Sequence, residues 1–431
     1  MTDIKTAFDT IRAKNESLTT AFAYYDGDQP IVFASTKLAE IFASSVKFIE
    51  NWCSVVVDSM KERIELASIT VPDSAKESMD ALWEDNLLDL ESDDLHEAAL
   101  VTGEAYLLVQ RTDERGVELF YNDPRLCHVW YESDNPRMKR MAAKLWVGEG
   151  KKDHLTLYYP DRFEYYISQS EYEGVSDAGN FVLLEDGVQP NETGEIPVFH
   201  FSLSKRVIKG ELSDVIPLQN AINKLLTDMM VVGDFGSFPQ RYIISNAEIG
   251  KLKNAPNEIW AIPAGDGVGQ QTSVGQFQPA DLGNYLNSIN QLAGDIARIT
   301  RTPKHYFYSE GGDPSGEALI AMEAPLNRKV RDRIERFEPV WKEALAYALR
   351  LSGHEVRANE IALGWDTIET LQPRTQAEIR SLEVNAGIPL LTLLRMEGWT
   401  DEQIAQMLSD QKLASAQMAD SLLSQFEKGQ A

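Results

Sequence analysis

Cysteine is nearly missing. Cys53 and Cys127 are the only two in 431 residues, too few for a disulfide framework or a four-thiolate zinc site. They read as two buried thiols of a reducing compartment. Long apolar runs are missing too, since no stretch approaches the roughly 18 residues of a membrane span. Met1 to Thr20 mixes Asp3, Lys5, Asp9, Arg12, Lys14 and Glu16 with apolar residues and lacks the core of a signal peptide. The chain therefore reads as soluble and made in a cytoplasm, with no membrane partner. Positive charge is scarce: 41 Lys and Arg face 67 Asp and Glu, a net charge of −26. Such a chain repels phosphate at long range, which excludes an isolated basic grip on nucleic acid.

Catalytic signatures are also missing. Gly148-Glu149-Gly150-Lys151-Lys152 lacks the spacing and the Ser or Thr of a Walker A loop. Gly265-Asp266-Gly267-Val268-Gly269 imitates a nucleotide loop without the helix that should follow it. The six histidines share no metal-ligand spacing, and Ser202-Leu203-Ser204-Lys205 is a pattern that chance supplies often. Asp85, Asp89, Asp93 and Asp94 could seat a hard cation, although a solvated acidic face is the plainer reading.

What is present is an ordinary globular composition, 43% hydrophobic and 25% charged, in a chain long enough for two or three structural units at about 150 residues each. The first third predicts mixed helix and strand. Thr36 to Lys61 has helical spacing, and Asp80 to Glu97 holds eight acids and no Lys or Arg. Leu82, Leu87, Leu88, Leu90 and Leu95 make that segment an acidic amphipathic helix continuing to Val101, with Gly103 as its end or a tight passage. Short strands follow at Ala105–Gln110, Val117–Asn122, Cys127–Tyr131, Ala142–Val147, Leu155–Tyr159 and Phe163–Ile167, an antiparallel meander.

Three long helices are predicted next. The first starts near Ser213-Asp214, with Val215, Leu218, Ile222, Leu225, Met229 and Val232 in a narrow seam. Strand-like pieces at Arg241–Ile244 and Glu258–Ile262 and a turn region at Gly265–Gln276 separate it from the second. That one runs about Asp281 to Thr302, with Leu282, Leu286, Ile289, Leu292, Ile296 and Ile299 on one face. The third begins at Pro314-Ser315 and reaches about Leu351, with Leu319, Met322, Leu326, Val330, Ile334, Phe337, Trp341, Leu345 and Ala348 at the α-helical period. It is on the order of 50 Å long, and Pro325 and Pro339 should kink it or locally open it. Arg328, Lys329, Arg331, Arg333 and Arg336 on it are either a surface laced with i,i+4 pairs or a charged face for an acidic neighbour. From Pro373 the tail reads as three short helices punctuated by Gly387, Pro389, Gly398 and a Thr400–Gln403 capping box. Between the second and third helices lies a loop carrying Lys304, His305, Tyr306, Phe307, Tyr308, Ser309 and Glu310, with Gly311 and Gly312 able to release its tip.

Several ordered segments resemble the portal proteins of long-tailed double-stranded-DNA phages. They are Asn51-Trp52-Cys53-Ser54-Val55-Val56-Val57-Asp58 with Glu62-Arg63-Ile64; then Gly210-Glu211-Leu212-Ser213-Asp214-Val215-Ile216-Pro217-Leu218-Gln219-Asn220-Ala221-Ile222-Asn223-Lys224. Most telling is Ile299-Thr300-Arg301-Thr302-Pro303, then the loop, then Ser315-Gly316-Glu317-Ala318-Leu319 and the long helix containing Phe337 and Trp341. The likeness spans roughly Thr36 to Gly398, and Phe163 to Glu195 matches nothing in it.

The resemblance implies an α+β portal fold: an N-terminal segment (1–35), an α/β wing (36–202), a first stem helix (203–239), a small β-containing clip (240–280) and a second stem helix (281–302). A tunnel loop (303–315), a long kinked spine helix with a wing strand (316–372) and a C-terminal helical crown and tail (373–431) complete it. It implies a structural, non-enzymatic subunit without cofactors, in a ring of about twelve copies at a capsid vertex of the virion, assembled in the host cytoplasm. Its partners would be the terminase large subunit, the head-completion adaptor, capsid and scaffold proteins, and double-stranded DNA in the channel. Lys304 to Glu310 would face DNA, and Leu225, Met229, Leu286 and Ile289 would pack the stem. Two alternatives are a cytosolic metal-dependent hydrolase using Asp89, Asp93 and Asp94, and another ring component of the head–tail junction.

Overall fold

The computed structural model describes residues 2–30, 49–171, 177–236, 241–244, 273–276, 281–308, 315–366, 368, 380–396 and 404–412. The chain divides into two compact units. The first holds residues 1–18, 58–210 and 312–431, the second residues 19–57 and 211–311.

The first unit is built on strand alternation. Strands β4 (Cys127–Tyr131), β5 (Lys139–Val147), β6 (Lys152–Tyr158), β7 (Arg162–Glu171) and β8 (Phe181–Pro190) form a five-stranded antiparallel meander in chain order. On β5, Met141 and Ala143 face one side and pack with Leu155, Leu157 and Phe181 against Ala7, Phe8 and Ile11 of helix α1 (Thr2–Asp26). Ala142, one residue out of phase, faces the other side. There it joins Cys127, Val129 and Tyr158 against Tyr106, Leu108, Ile196 and Val198. That side is covered by a three-stranded sheet, β3 (Gly116–Asn122), β2 (Glu104–Thr112) and β9 (Val198–Ser202), with β2 in the centre. The period of two thus gives each face of the meander its own core.

Beyond the smaller sheet lie helices α4 (Leu88–Thr102) and α7 (Gly316–Leu351). Leu326, Val330, Ile334, Phe337, Trp341, Leu345 and Ala348 are all buried, so the expected stripe of α7 is the core-facing one, while Leu319 and Met322 at its start are half-buried. Its aromatics close on Phe201 of β9 and on His96 of α4. The Phe201 ring lies 5.2 Å from Trp341 and 5.7 Å from Phe337, His96 stacks on Phe337 at 5.2 Å, and Trp341 Nε1 donates to His96 Nε2 at 2.9 Å. Burial pushes the His96 imidazole down to about 4, so it stays neutral and accepts that bond. Ser315 caps the start of α7, its hydroxyl accepting the Ala318 N–H. Gly353, at φ 93, ends it in a Schellman motif, with Gly353 N–H on Arg350 O and His354 N–H on Leu349 O. Pro325 and Pro339 both lie inside this one continuous helix.

Three points of the sequence reading are corrected. The acidic segment is two helices, α3 (Lys76–Asp85) and α4, broken at Asn86-Leu87. The Asn86 side chain bonds the Leu82 carbonyl at 3.0 Å and strand β3 at Val117 O (3.1 Å) and Leu119 N (2.8 Å), which competes with helix continuation. Strands β8 and β9, absent from the reading, complete the two sheets. Ser273–Gln276 of the expected turn region is strand β11, paired antiparallel with β10 (Arg241–Ile244). Gly103 fills both roles expected of it: it ends α4, at φ 93, and it packs backbone to backbone, since a Cβ there would sit 2.6 Å from the Lys209 carbonyl carbon. Strand β1 (Leu66–Thr70) pairs with β12 (Ala362–Trp365). In the tail, residues 380–385, 390–396 and 404–412 are helical, and Gly387 at φ 101 terminates the first of these. Residues 36–48, the Glu258–Ile262 piece, Gly398 and the Thr400–Gln403 box lie outside the described residues.

Candidate functional site

The second unit pairs helix α5 (Ile216–Gly236) with α6 (Gly283–Thr300). The buried face of α6 is Ile289, Ala293, Ile296, Ala297 and Thr300. Of the expected seam, Ile289 and Ile296 are buried and Leu292 is half-buried, whereas Leu282, Leu286 and Ile299 are 38%, 50% and 53% exposed in the single chain. On α5, Ile222 is buried and Leu225 and Met229 are half-buried.

The most buried stripe of α5 is polar. Gln219, Asn223 and Thr227, four residues apart, are each under 5% exposed. Gln219 Oε1 accepts the Trp52 N–H at 3.0 Å, and its Nε2 donates to the Glu50 carbonyl and, at 3.0 Å, to Asn223 Oδ1. Asn223 Oδ1 also accepts the Glu50 N–H at 3.2 Å, and the Thr227 hydroxyl donates to the Asn223 carbonyl at 2.9 Å. These amides satisfy the backbone where helix α2 (Trp52–Lys61) begins, groups that no intrahelical partner reaches. Asn51 supplies the cap itself, its Oδ1 accepting the Ser54 N–H at 3.3 Å. The Trp52 ring is thereby held, and it packs on Phe307 with centroids 5.3 Å apart.

Phe307 belongs to a stiff turn. The Thr300 hydroxyl donates back to Ile296 O at 2.8 Å in the last turn of α6. Arg301 follows in the left-handed region at φ 64, and Thr302 and Pro303 are buried. Lys304–Tyr306 form one 3-10 turn, with the N–H of Tyr306 on Pro303 O at 3.1 Å and those of Phe307 and Tyr308 on Lys304 O at 3.1 and 3.2 Å. Phe307 is 5% exposed. The Tyr308 hydroxyl sits over α6 at Gly294, 3.0 Å from where a Cβ would stand. Arg298, Arg301 and Lys304 are exposed, with Arg298 paired to Asp295. So the first half of the expected loop is anchored by its aromatics: Phe307 and Tyr308 hold it to the unit, His305 and Tyr306 are half-buried, and Lys304 faces solvent. Ser309 and Glu310 lie outside the described residues, as do Gly311 and Gly312.

Elsewhere, Asp93 of the acidic segment pairs with Lys61 at 2.9 Å, and Glu97 joins the same ammonium at 2.6 Å. Among the described residues no group of three or more His, Cys, Asp or Glu side chains is arranged to hold a metal. The basic run on α7 is laced with local pairs, Asp332 taking both Arg333 and Arg336. Pro325 and Pro339 are exposed on that helix. The polar stripe Gln219–Asn223–Thr227 was not found from the sequence. Its only signal was a Gln and an Asn four residues apart within that helix.

This is an α+β protein organised by one long helix and a helix pair that ends in a clamped turn. The family described as phage portal protein, SPP1 Gp6-like, matches residues 9–417. The chain belongs to that family of structural proteins, which form oligomeric rings in the phage particle. The portal protein of Mycobacterium phage D29 is 26% identical over 367 residues, covering 78% of this chain and 72% of that protein. That of Mycobacterium phage L5 is 25% identical over 322 residues, covering 68% and 63%. A chain from the virion of the native gene transfer agent (GTA) particle shares the fold with a TM-score of 0.50 at 14% identity, over 89% of this chain and 99% of that one. Membership supports the portal role and not the hydrolase alternative.

Proposed function

We propose that this chain is the portal subunit of a phage capsid: about twelve copies close a ring at one vertex, and genomic DNA enters and leaves through it. The observation that carries the reading is the family match over residues 9–417. The terminase large subunit docks on the ring first and the head-completion adaptor later, with capsid and scaffold proteins around its rim, and assembly takes place in the host cytoplasm. In this reading the second unit supplies the stem, from α5 and α6, and the clip, from β10 and β11. The first unit supplies wing and spine, with crown helices in the tail. The segment Lys304 to Glu310 is the channel loop, and its clamped base is what such a role requires: an anchored pedestal on which a short tip can meet DNA without chemistry. A charge of −26 per copy sums to the order of −300 over the ring, so phosphate slides past with few adhesive contacts. Energy must then come from a partner, because no nucleotide-binding motif occurs in the sequence.

The test is direct. Purified protein should sediment and image as a ring above about half a megadalton. Replacing Tyr306 to Glu310 with Gly and Ser should leave the ring intact and impair genome packaging or retention. Full packaging and stable particles in that variant would remove the loop assignment, and a small oligomer in place of a ring would remove the portal assignment.

A further inference from the structure

Two exposed patches of the first unit are complementary to each other in charge. The α3–α4 corner carries Leu87 and Leu90, 63% and 65% exposed. Around them stand Glu84, Asp85 and Asp89, exposed and without an ion pair among the described residues. The corner is rigid: Asn86 ties it to β3 by two hydrogen bonds and to the last turn of α3 by a third, and Leu87 is held at φ 49, a conformation that a leucine adopts at a cost. The second patch is the segment 204–210 after β9. Val207 and Ile208 are 52% and 44% exposed there, framed by the exposed Lys205, Arg206 and Lys209. Its start is fixed by the Ser204 hydroxyl, which accepts the N–H groups of Arg206 and Val207 at 3.3 and 3.5 Å. Its end is fixed by Gly210, which packs so tightly on the last turn of α4 that a Cβ would run into the Val101 carbonyl oxygen. Leu203 N–H also bonds Gly103 O at 3.0 Å.

These anchors locate the patches. The corner is at the N-terminal end of α4 and the loop is at its C-terminal end. The 15 residues between put about 22 Å of helix between them. One patch is an apolar pair in an anionic frame, the other an apolar pair in a cationic frame. Neither can pair with itself, because two copies of either bring like charges together. Each can pair with the other on a second copy, and a head-to-tail contact of that kind is what closes a ring. A chain with net charge −26 repels its copies, so a contact between copies needs a local reversal of sign.

We propose that the Leu87/Leu90 corner of one subunit docks on the Lys205–Lys209 loop of the next. The inference rests on the ring-forming reading above and assigns two surfaces to it.

The test uses the full chain in two charge-reversed forms, Asp85→Lys/Asp89→Lys and Lys205→Glu/Arg206→Glu. Each alone faces like charge with like charge and should lose assembled protein by about tenfold or more at low salt. Mixed, the two forms are complementary at every contact, and rings should return with the forms alternating. A second arm guards against misfolding: Leu90→Cys/Ile208→Cys. The native Cys53 and Cys127 are buried, and their thiols are pushed up to about 12 by desolvation, so background cross-linking is low. Mild oxidation should give a ladder of covalent multimers that reductant collapses, whereas either single variant should stop at dimers. A wild-type ring whose two charge-reversed forms both assemble alone, or whose double-cysteine form gives no ladder, overturns the contact only. A wild-type chain that sediments as a monomer overturns the ring reading and the contact with it.

Discussion

Lys14→Met should unsettle the first unit more than any loss of a surface charge. Lys14 lies on α1, and its ammonium donates to Glu104 Oε1 and to the Cys127 carbonyl, each at 2.7 Å, with His128 Nδ1 3.3 Å away. Glu104 is 2% exposed and also takes the Tyr106 hydroxyl at 2.7 Å, while His200 Nε2 lies 3.5 Å from it. Burial alone would push this carboxyl up from about 4.5. The nearby His200, the Lys14 charge and bond, and the Tyr106 bond overcome it and hold the group at about 2. Lys14 is itself pulled below its ordinary value, chiefly by desolvation, so the carboxylate is the better satisfied partner. A displacement from 4.5 to about 2 corresponds to about 3 kcal/mol of stability. The folded value is the depressed one, so that stability is present above pH 4.5 and is lost as pH falls from 4.5 toward 2. Removing the ammonium strands a buried carboxylate and should cost about 3–5 kcal/mol at pH 7. Denaturant titrations at equal protomer concentration, from pH 7 to pH 3, measure it. The deficit should shrink toward pH 3, where the wild type has lost part of its own advantage, and Lys14→Met/Glu104→Gln should recover part of it at pH 7. A loss under about 1 kcal/mol at pH 7, or a deficit that does not change with pH, would refute the argument.

Three further outcomes follow from the packing. His96, neutral with its folded value near 4, loses stability for the fold as pH drops from 6.5 toward 4, by about 3 kcal/mol; in His96→Gln, thermal melts across that window should lose this slope. Gly210→Ala should yield no soluble protein or cost more than about 2 kcal/mol, since its Cβ meets backbone at Val101, whereas Gly116→Ala, with open space and φ +77, should cost about 1 kcal/mol by denaturant titration. Leu225→Asp places a carboxylate on the half-buried face of α5 and should abolish rings by sedimentation; normal assembly would remove the stem reading.

The parts that were legible in the sequence are those whose period matches one buried face. Leu326 to Ala348 on α7 keep a single stripe for six turns, and the core sits under that stripe. Cys127–Tyr131 and Arg241–Ile244 were read to the residue because β-branched and aromatic residues run consecutively there. Strand β8 was illegible because Val182, Leu183 and Leu184, at 38%, 46% and 37% exposure, do not alternate in burial; the strand exists by pairing with β7. Strand β11 was hidden by Gly275, which breaks the propensity count. Across the ladder Tyr242 lies directly over that glycine, so the missing side chain makes room for an aromatic ring.

The site shows the opposite limit. An apolar seam on α5 is a sound reading of helical periodicity, because the spacing of apolar residues records what water rejects. It does not record what another backbone needs. The start of α2 leaves polar groups that must find partners once buried, and Gln219 and Asn223 reach them from a neighbouring helix 167 to 173 residues away in sequence. Amides at that spacing look like a solvated face until the chain that covers them is known. The same logic explains Leu87 and Leu90. Counted by period they belonged to a core stripe, yet Asn86 diverts the chain to β3 and turns both leucines outward. A leucine pair that the fold itself expels, on a corner fixed by three hydrogen bonds, points to a surface that only a second molecule can cover.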